Sequence, residues 1–62
     1  MDGYRAYTLD AQGHVLSRLE FEAADDAAAL AHARQRMTDH DVEVWQLQRM
    51  IGRLRIADQR AA

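Results

Sequence analysis

Cysteine is absent from this chain of 62 residues. That absence removes disulfides, thiolate metal sites and thiol nucleophiles together. So short a chain has a large surface for its volume, and small domains usually recover stability from disulfides, metals or association. Very good packing or self-association is what remains. Lysine is absent too, since all eight basic residues are arginine. With alanine abundant, this reads as the signature of a GC-rich genome, and it weakens arginine as a sign of recognition.

Ten acidic residues leave a formal net charge of -2, which gives no general attraction to nucleic acid or anionic membrane. No stretch approaches the roughly 20 apolar residues that span a bilayer. The start, Met1-Asp2-Gly3-Tyr4-Arg5, lacks a basic segment followed by an apolar one. A cytoplasmic location is therefore expected. No glycine-rich phosphate loop precedes a helix, and neither an RNP-like motif nor a helix-turn-helix is present.

What is there looks globular: 48% hydrophobic and 29% charged residues, above the hydrophobicity of a disordered chain. One α+β domain over 1–62 is predicted. Tyr4 to Leu9 is short and rich in strand formers. Val15 to Phe21 alternates with period 2 and forms a second strand. Between them Asp10-Ala11-Gln12-Gly13 fits a type I turn closed by a left-handed glycine and a G1 bulge. That register sets Asp10 opposite His14 and gathers Leu9, Tyr7, Val15, Leu19 and Phe21 on one face.

Asp25 is a good N-cap, and Asp26 suits the positive end of the helix that follows, to Met37. Leu30, Ala33 and Met37, with Ala29, form a narrow stripe of mostly small residues that lets a helix lie close to a sheet. Thr38-Asp39-His40-Asp41 is a polar break. Val42 to Trp45 is a third strand, Gln46-Leu47-Gln48 a turn without glycine, and Arg49 to Ile56 a fourth strand. Facing on that last strand stays open: alternation groups Met50, Leu54 and Ile56, yet Ile51 is also a core candidate. Gly52 marks a bulge or a close backbone approach. Residues 57–62 read as a frayed tail. The simplest assembly is ββαββ, a four-stranded antiparallel sheet in the order 2-1-3-4 with one helix packed on one face.

One helix covers one side of a sheet. The opposite side is predicted to carry Tyr4, Ala6, Thr8 and Leu16, joined by Trp45. Aromatic and apolar surface of this kind marks interfaces, so self-association as a homodimer is expected, and then binding of another protein.

The segments "YRAYTLDAQGHV", "EAADDAAALAHA" and "DVEVWQLQRMIGRL" resemble a group of very small uncharacterised bacterial proteins, mainly alphaproteobacterial. The shared features are a Tyr-Arg-x-Tyr start, a Leu-Asp-x-x-Gly-His turn, an acidic helix start, and Glu-x-Trp followed by arginine and an aliphatic strand. The resemblance runs from Tyr4 to Leu54. It departs at Leu47, where glycine or a polar residue would turn the chain more easily, and in the tail to Ala62. It implies the ββαββ fold and brings no activity, cofactor or site residue with it.

Candidate chemistry is sparse. Asp10 and His14 could orient a general base, but turn chemistry accounts for them. Asp39, His40 and Asp41 are potential ligands, but neighbours in one loop do not easily aim at one ion. No catalytic, cofactor or metal residue is assigned. The alternative to self-association is nucleic-acid binding through Arg49, Arg53 and Arg55, placed on one face with Ile51, with Arg60 nearby. Charges protecting an edge strand explain those arginines as well.

Overall fold

The structure is a computed structural model and describes residues 1–59. Two hairpins flank one helix, in the order β1 (Asp2–Leu9), β2 (Val15–Ala23), α1 (Asp26–Gln35), β3 (Asp41–Gln46), β4 (Arg49–Leu54) and α2 (Ile56–Gln59). The four strands form one antiparallel sheet in the order β2-β1-β3-β4, and α1 packs on one side. The predicted ββαββ architecture and strand order are those observed.

The first hairpin forms by the expected turn chemistry. The Gly13 N–H donates to the Asp10 carbonyl at 3.0 Å and the Asp10 N–H to the His14 carbonyl at 2.9 Å. Gly13 takes φ 86°, a conformation glycine enters without a Cβ clash. Asp25 caps α1, its Oδ1 accepting from the Ala28 N–H at 2.8 Å.

The facing of β1 differs from the expected one. Leu9 pairs with Val15, but Thr8 pairs with Ser17, so Leu16 is an extra residue bulged out of β2. One extra residue moves every later pair to the other face. Ala6 is thus opposite Leu19 and Tyr4 opposite Phe21. Tyr4, Ala6 and Thr8 lie beneath the helix side, and Arg5 and Tyr7 take the open side. Tyr4 is 3% exposed and belongs, with Ala6, to a core of Ala23, Ala29, Ala33, Val42, Val44 and Leu54. Leu9 is also buried, outside that cluster and beside Ile56.

A second bulge resolves the ambiguity of β4. Val44 pairs with Gly52 and Trp45 with Met50, which leaves Ile51 as the extra residue. Leu54 and Gly52 face α1 and Met50 faces away. A Cβ on Gly52 would stand 2.9 Å from Leu30 Cδ2, so this glycine serves close approach while the bulge lies next to it. Both bulges sit on the edge strands. β4 ends at Leu54, because Asp41 Oδ1 accepts the Ile56 N–H at 2.9 Å and the chain turns into α2. Ile56 is therefore not in the strand, and 57–59 belong to a short helix; the rest of the expected tail, with Arg60, lies outside the described residues.

The β3–β4 turn has two central residues, Leu47 and Gln48, and Leu47 alone takes a positive φ, 54°. That is the type II′ pattern, whose first central position belongs to glycine. Leucine there crowds its Cβ against the backbone, at about 1–2 kcal/mol. In urea unfolding of dilute protein, Leu47→Gly is predicted to raise stability by about 1 kcal/mol, or a melting rise of about 4–8 °C; an unchanged midpoint would show that the turn is unstrained.

Candidate interaction face

The register builds the side of the sheet that α1 leaves open. One row across the strands reads Glu20, Arg5, Trp45, Met50; the next reads Arg18, Tyr7, Glu43, Arg53. Asp41 and Glu22 continue the face at its two ends. Three arginines and four carboxylates thus share it. Down its middle runs an apolar lane: Val15, Tyr7, Trp45 and Leu47 line one shallow hollow with Arg5, Glu43 and Gln48. Val15 is 58% exposed and Leu47 78%.

The polar groups of this face hold each other. Arg5 Nη1 donates to the Tyr7 hydroxyl at 3.0 Å and the guanidinium carbon lies 5.7 Å from the Tyr7 ring centre. Arg5 Nη2 donates to the Leu47 carbonyl, so one side chain ties β1 to the strained turn. Trp45 Nε1 donates to Glu43 Oε1 at 3.3 Å. Arg18 pairs with Glu20, and Arg53 reaches Asp41 at 3.2 Å and Glu43 at 3.6 Å.

Of the five residues expected on the open face, Trp45 is there. Tyr4, Ala6 and Thr8 are on the covered side for the reason of register given above. Leu16 is the exposed bulge residue. Alternation groups Tyr7 and Val15 with Leu19 and Phe21, from which the Leu16 bulge separates them, and it does not single out Arg5, Glu43 or Leu47. The signal for Arg5 and Tyr7 was present in composition: small Ala6, not bulky Tyr7, matches the alanine stripe of the helix.

The three arginines proposed for nucleic acid do not share a face. The Ile51 bulge sends Arg49 to the helix side, where Nη1 and Nη2 bind Asp26 at 2.8 and 3.1 Å, while Arg53 lies on the open side with its two carboxylates. Arg55 follows the end of β4 and is exposed.

Asp26 gathers three elements. It accepts from the buried Tyr4 hydroxyl at 3.0 Å as well as from Arg49, linking α1 to β1 and β4. The Arg49 bonds first, and then the Tyr4 bond, hold its carboxyl below the ordinary range. Burial, helped by Asp26, pushes the Tyr4 phenol up. Asp41 is likewise held low, by the Ile56 N–H and then by Arg53. On the helix side Phe21 stacks between Tyr4, 5.9 Å away, and His32, 4.4 Å away.

The fold brings Asp10 to the rim of the same small hollow as Asp39, His40 and Asp41. Yet Asp10 Oδ1 accepts from the N–H groups of Gln12 and His14 at 2.9 and 2.8 Å, and His14 Nδ1 stands 3.4 Å from Oδ2, fully in the turn. Among the described residues no group of three or more His, Asp or Glu side chains is placed to hold a metal ion, and no helix is long and apolar enough to cross a membrane.

Comparison of the chain with protein-family models, with curated proteins and with solved structures finds no match.

Two outcomes test this geometry. Asp26 and Asp41 are low in the folded protein, so the stability they contribute is present above the unfolded carboxylate pKa and is lost as pH falls below about 4. Asp26→Asn is predicted to flatten that acid limb in melts at pH 3–6, and an unchanged limb would count against the three-element link. Asp10→Ala is predicted to lower the melting midpoint by about 4 °C or more while His14→Ala leaves it unmoved; equal losses would mean that the pair acts as a unit.

Proposed function

We propose that this chain is a small non-catalytic protein-interaction module that self-associates as a homodimer through the open face of its sheet. The observation that carries the reading is the uncovered lane of Val15, Tyr7, Trp45 and Leu47 opposite the helix. Tyrosine and tryptophan are common interface anchors. The face carries both signs of charge in near balance, which suits a second copy better than a polyanion. The molecule's two larger extents are 30 and 26 Å, a broad side of the order of the ~800 Å² that each partner of a standard interface buries. A core whose one fully buried large side chain, among the described residues, is Val44 leaves a small domain with much to gain from association. A cytoplasmic setting, and membership of the small bacterial group resembled by Tyr4 to Leu54, are parts of the same proposal.

The nucleic-acid alternative has less behind it. Arg49 and Arg53 point to opposite sides of β4 and both are held by carboxylates, so no continuous basic strip forms.

Light scattering on a sizing column over a concentration range is the test. The wild-type chain is predicted to run as a dimer, and Trp45→Ala as a monomer with its far-ultraviolet circular dichroism retained. A wild-type monomer at every concentration would overturn the reading, and global unfolding of Trp45→Ala would reassign that side chain to the monomer's own packing.

A further inference from the structure

We infer that the outer edge of β2 is a second contact surface, along which another copy of this chain adds its own β2 antiparallel and joins two sheets into one. The contact goes beyond the face reading above and does not depend on it. β2 is an outer strand of the sheet. Its backbone phase follows from the first turn, where Asp10 donates its N–H to the His14 carbonyl and accepts from the Gly13 N–H. Both backbone groups of Asp10 thus bond toward β2. Alternation along β1 then turns Thr8, Ala6 and Tyr4 to β2 as well, and their partners are Ser17, Leu19 and Phe21. The backbone groups of Arg18, Glu20 and Glu22 therefore aim out of the sheet. An unpaired row of this kind is a template for another strand. The opposite edge is a poorer one: β4 has six residues and the Ile51 bulge falls inside it, whereas β2 pairs without a break from Ser17 to Ala23.

Charge and apolar surface select a second copy as the occupant. A two-fold pairing of β2 with itself has its axis through one residue, because facing residues must point to the same side of the joined sheet. Axes through Arg18, Glu20, Phe21 or Glu22 each set like charges opposite one another. The axis through Leu19 sets Arg18 opposite the second copy's Glu20 and Glu20 opposite its Arg18, and these are the residues whose backbone groups aim outward. Arg18 and Glu20 are exposed and already paired within the strand, so the two pairs meet as a quartet of alternating sign. On the helix side Leu19 meets its own counterpart and Phe21 meets Ser17. Leu19 and Phe21 pack against the core yet are only half-buried, so the same register covers apolar surface that the monomer leaves wet.

The test is sedimentation equilibrium on the full chain up to about 1 mM, with Glu20→Pro. Proline removes an N–H that aims out of the sheet and breaks no bond to β1, and an edge strand accepts it there. The edge is the smaller contact, so it follows the face dimer at higher concentration. The wild-type chain is expected to form species heavier than a dimer, and Trp45→Ala to pair through β2 alone at the same concentrations. Glu20→Pro is expected to raise the Kd of this step about tenfold or more, since a bond is lost from each copy. Arg18→Glu sets like charges opposite and is expected to weaken the step, and Arg18→Glu with Glu20→Arg to restore it. Should Glu20→Pro lose its circular dichroism, that exchange decides the matter: an equal step in the wild type and both charge variants would overturn the edge contact. So would a wild-type chain with no species beyond the face dimer, which leaves the face reading standing. A wild-type dimer that Glu20→Pro dissociates and Trp45→Ala does not would keep the edge and overturn the face. A wild-type chain that stays monomeric would overturn both.

Discussion

The contact between α1 and the central strands is made by side chains that scarcely project. Ala29 and Ala33 of the helix meet Ala6 and Val44, and all four are nearly inaccessible to solvent. Close-packed interiors tolerate little change in volume, so the strand residues under this stripe must be small at its centre and larger at its margins. Tyr4, Phe21 and Leu30 supply the margins. Gly52 lets Leu30 reach down to β4. The Leu16 bulge is the device that satisfies this constraint. It leaves the alternation of β1 unbroken and brings Leu19 and Phe21 of β2 to the side of Ala6 and Tyr4. The composition of the open face is thus a consequence of how close the helix must lie.

That packing is light in apolar volume, and polar links reinforce it at the edges. Asp26, at the first turn of α1, is held by Tyr4 from an inner strand and by Arg49 from an edge strand. Asp41, at the start of β3, draws the chain after β4 into α2. Exposed ion pairs alone contribute little. These two carboxylates matter because each also accepts a hydrogen bond from a hydroxyl or a backbone N–H and fixes where one element meets the next. Two of the arginines considered for a polyanion, Arg49 and Arg53, are engaged by these same carboxylates, which ties that part of the charge pattern to the architecture.

The open face stands in contrast. Arg18 pairs with Glu20 and Arg53 with Asp41 and Glu43, Arg5 is held by the Tyr7 hydroxyl, and the lane between them remains apolar and uncovered. Its one strained backbone position, Leu47, is fastened to the face by Arg5. A small domain with a thin core has a physical reason to bury such a lane against a second copy, because association adds apolar burial that 62 residues cannot supply alone.

Local chemistry was legible from residue order by itself. The Asp10–Gly13 turn, the Asp25 cap, the alanine stripe, the ββαββ order and the strand sequence 2-1-3-4 follow from hydrogen-bonding groups, glycine and periodicity within a few residues of one another. The exclusions were legible too, since thiol chemistry and a glycine-rich phosphate loop require residues the chain lacks. Facing was not legible, because it depends on two single-residue bulges, at Leu16 and Ile51, and a period of 2 turns each slip into an inversion of everything beyond it. Sequence alternation placed Trp45 on the open side and misplaced Tyr4, Ala6 and Thr8. It could not see that Arg49 and Arg53 part company across the Ile51 bulge. Residue order determined which elements form and in what order they pair; tertiary structure decided which side chains each face presents, because only the fit of small residues under the helix selects where an edge strand bulges.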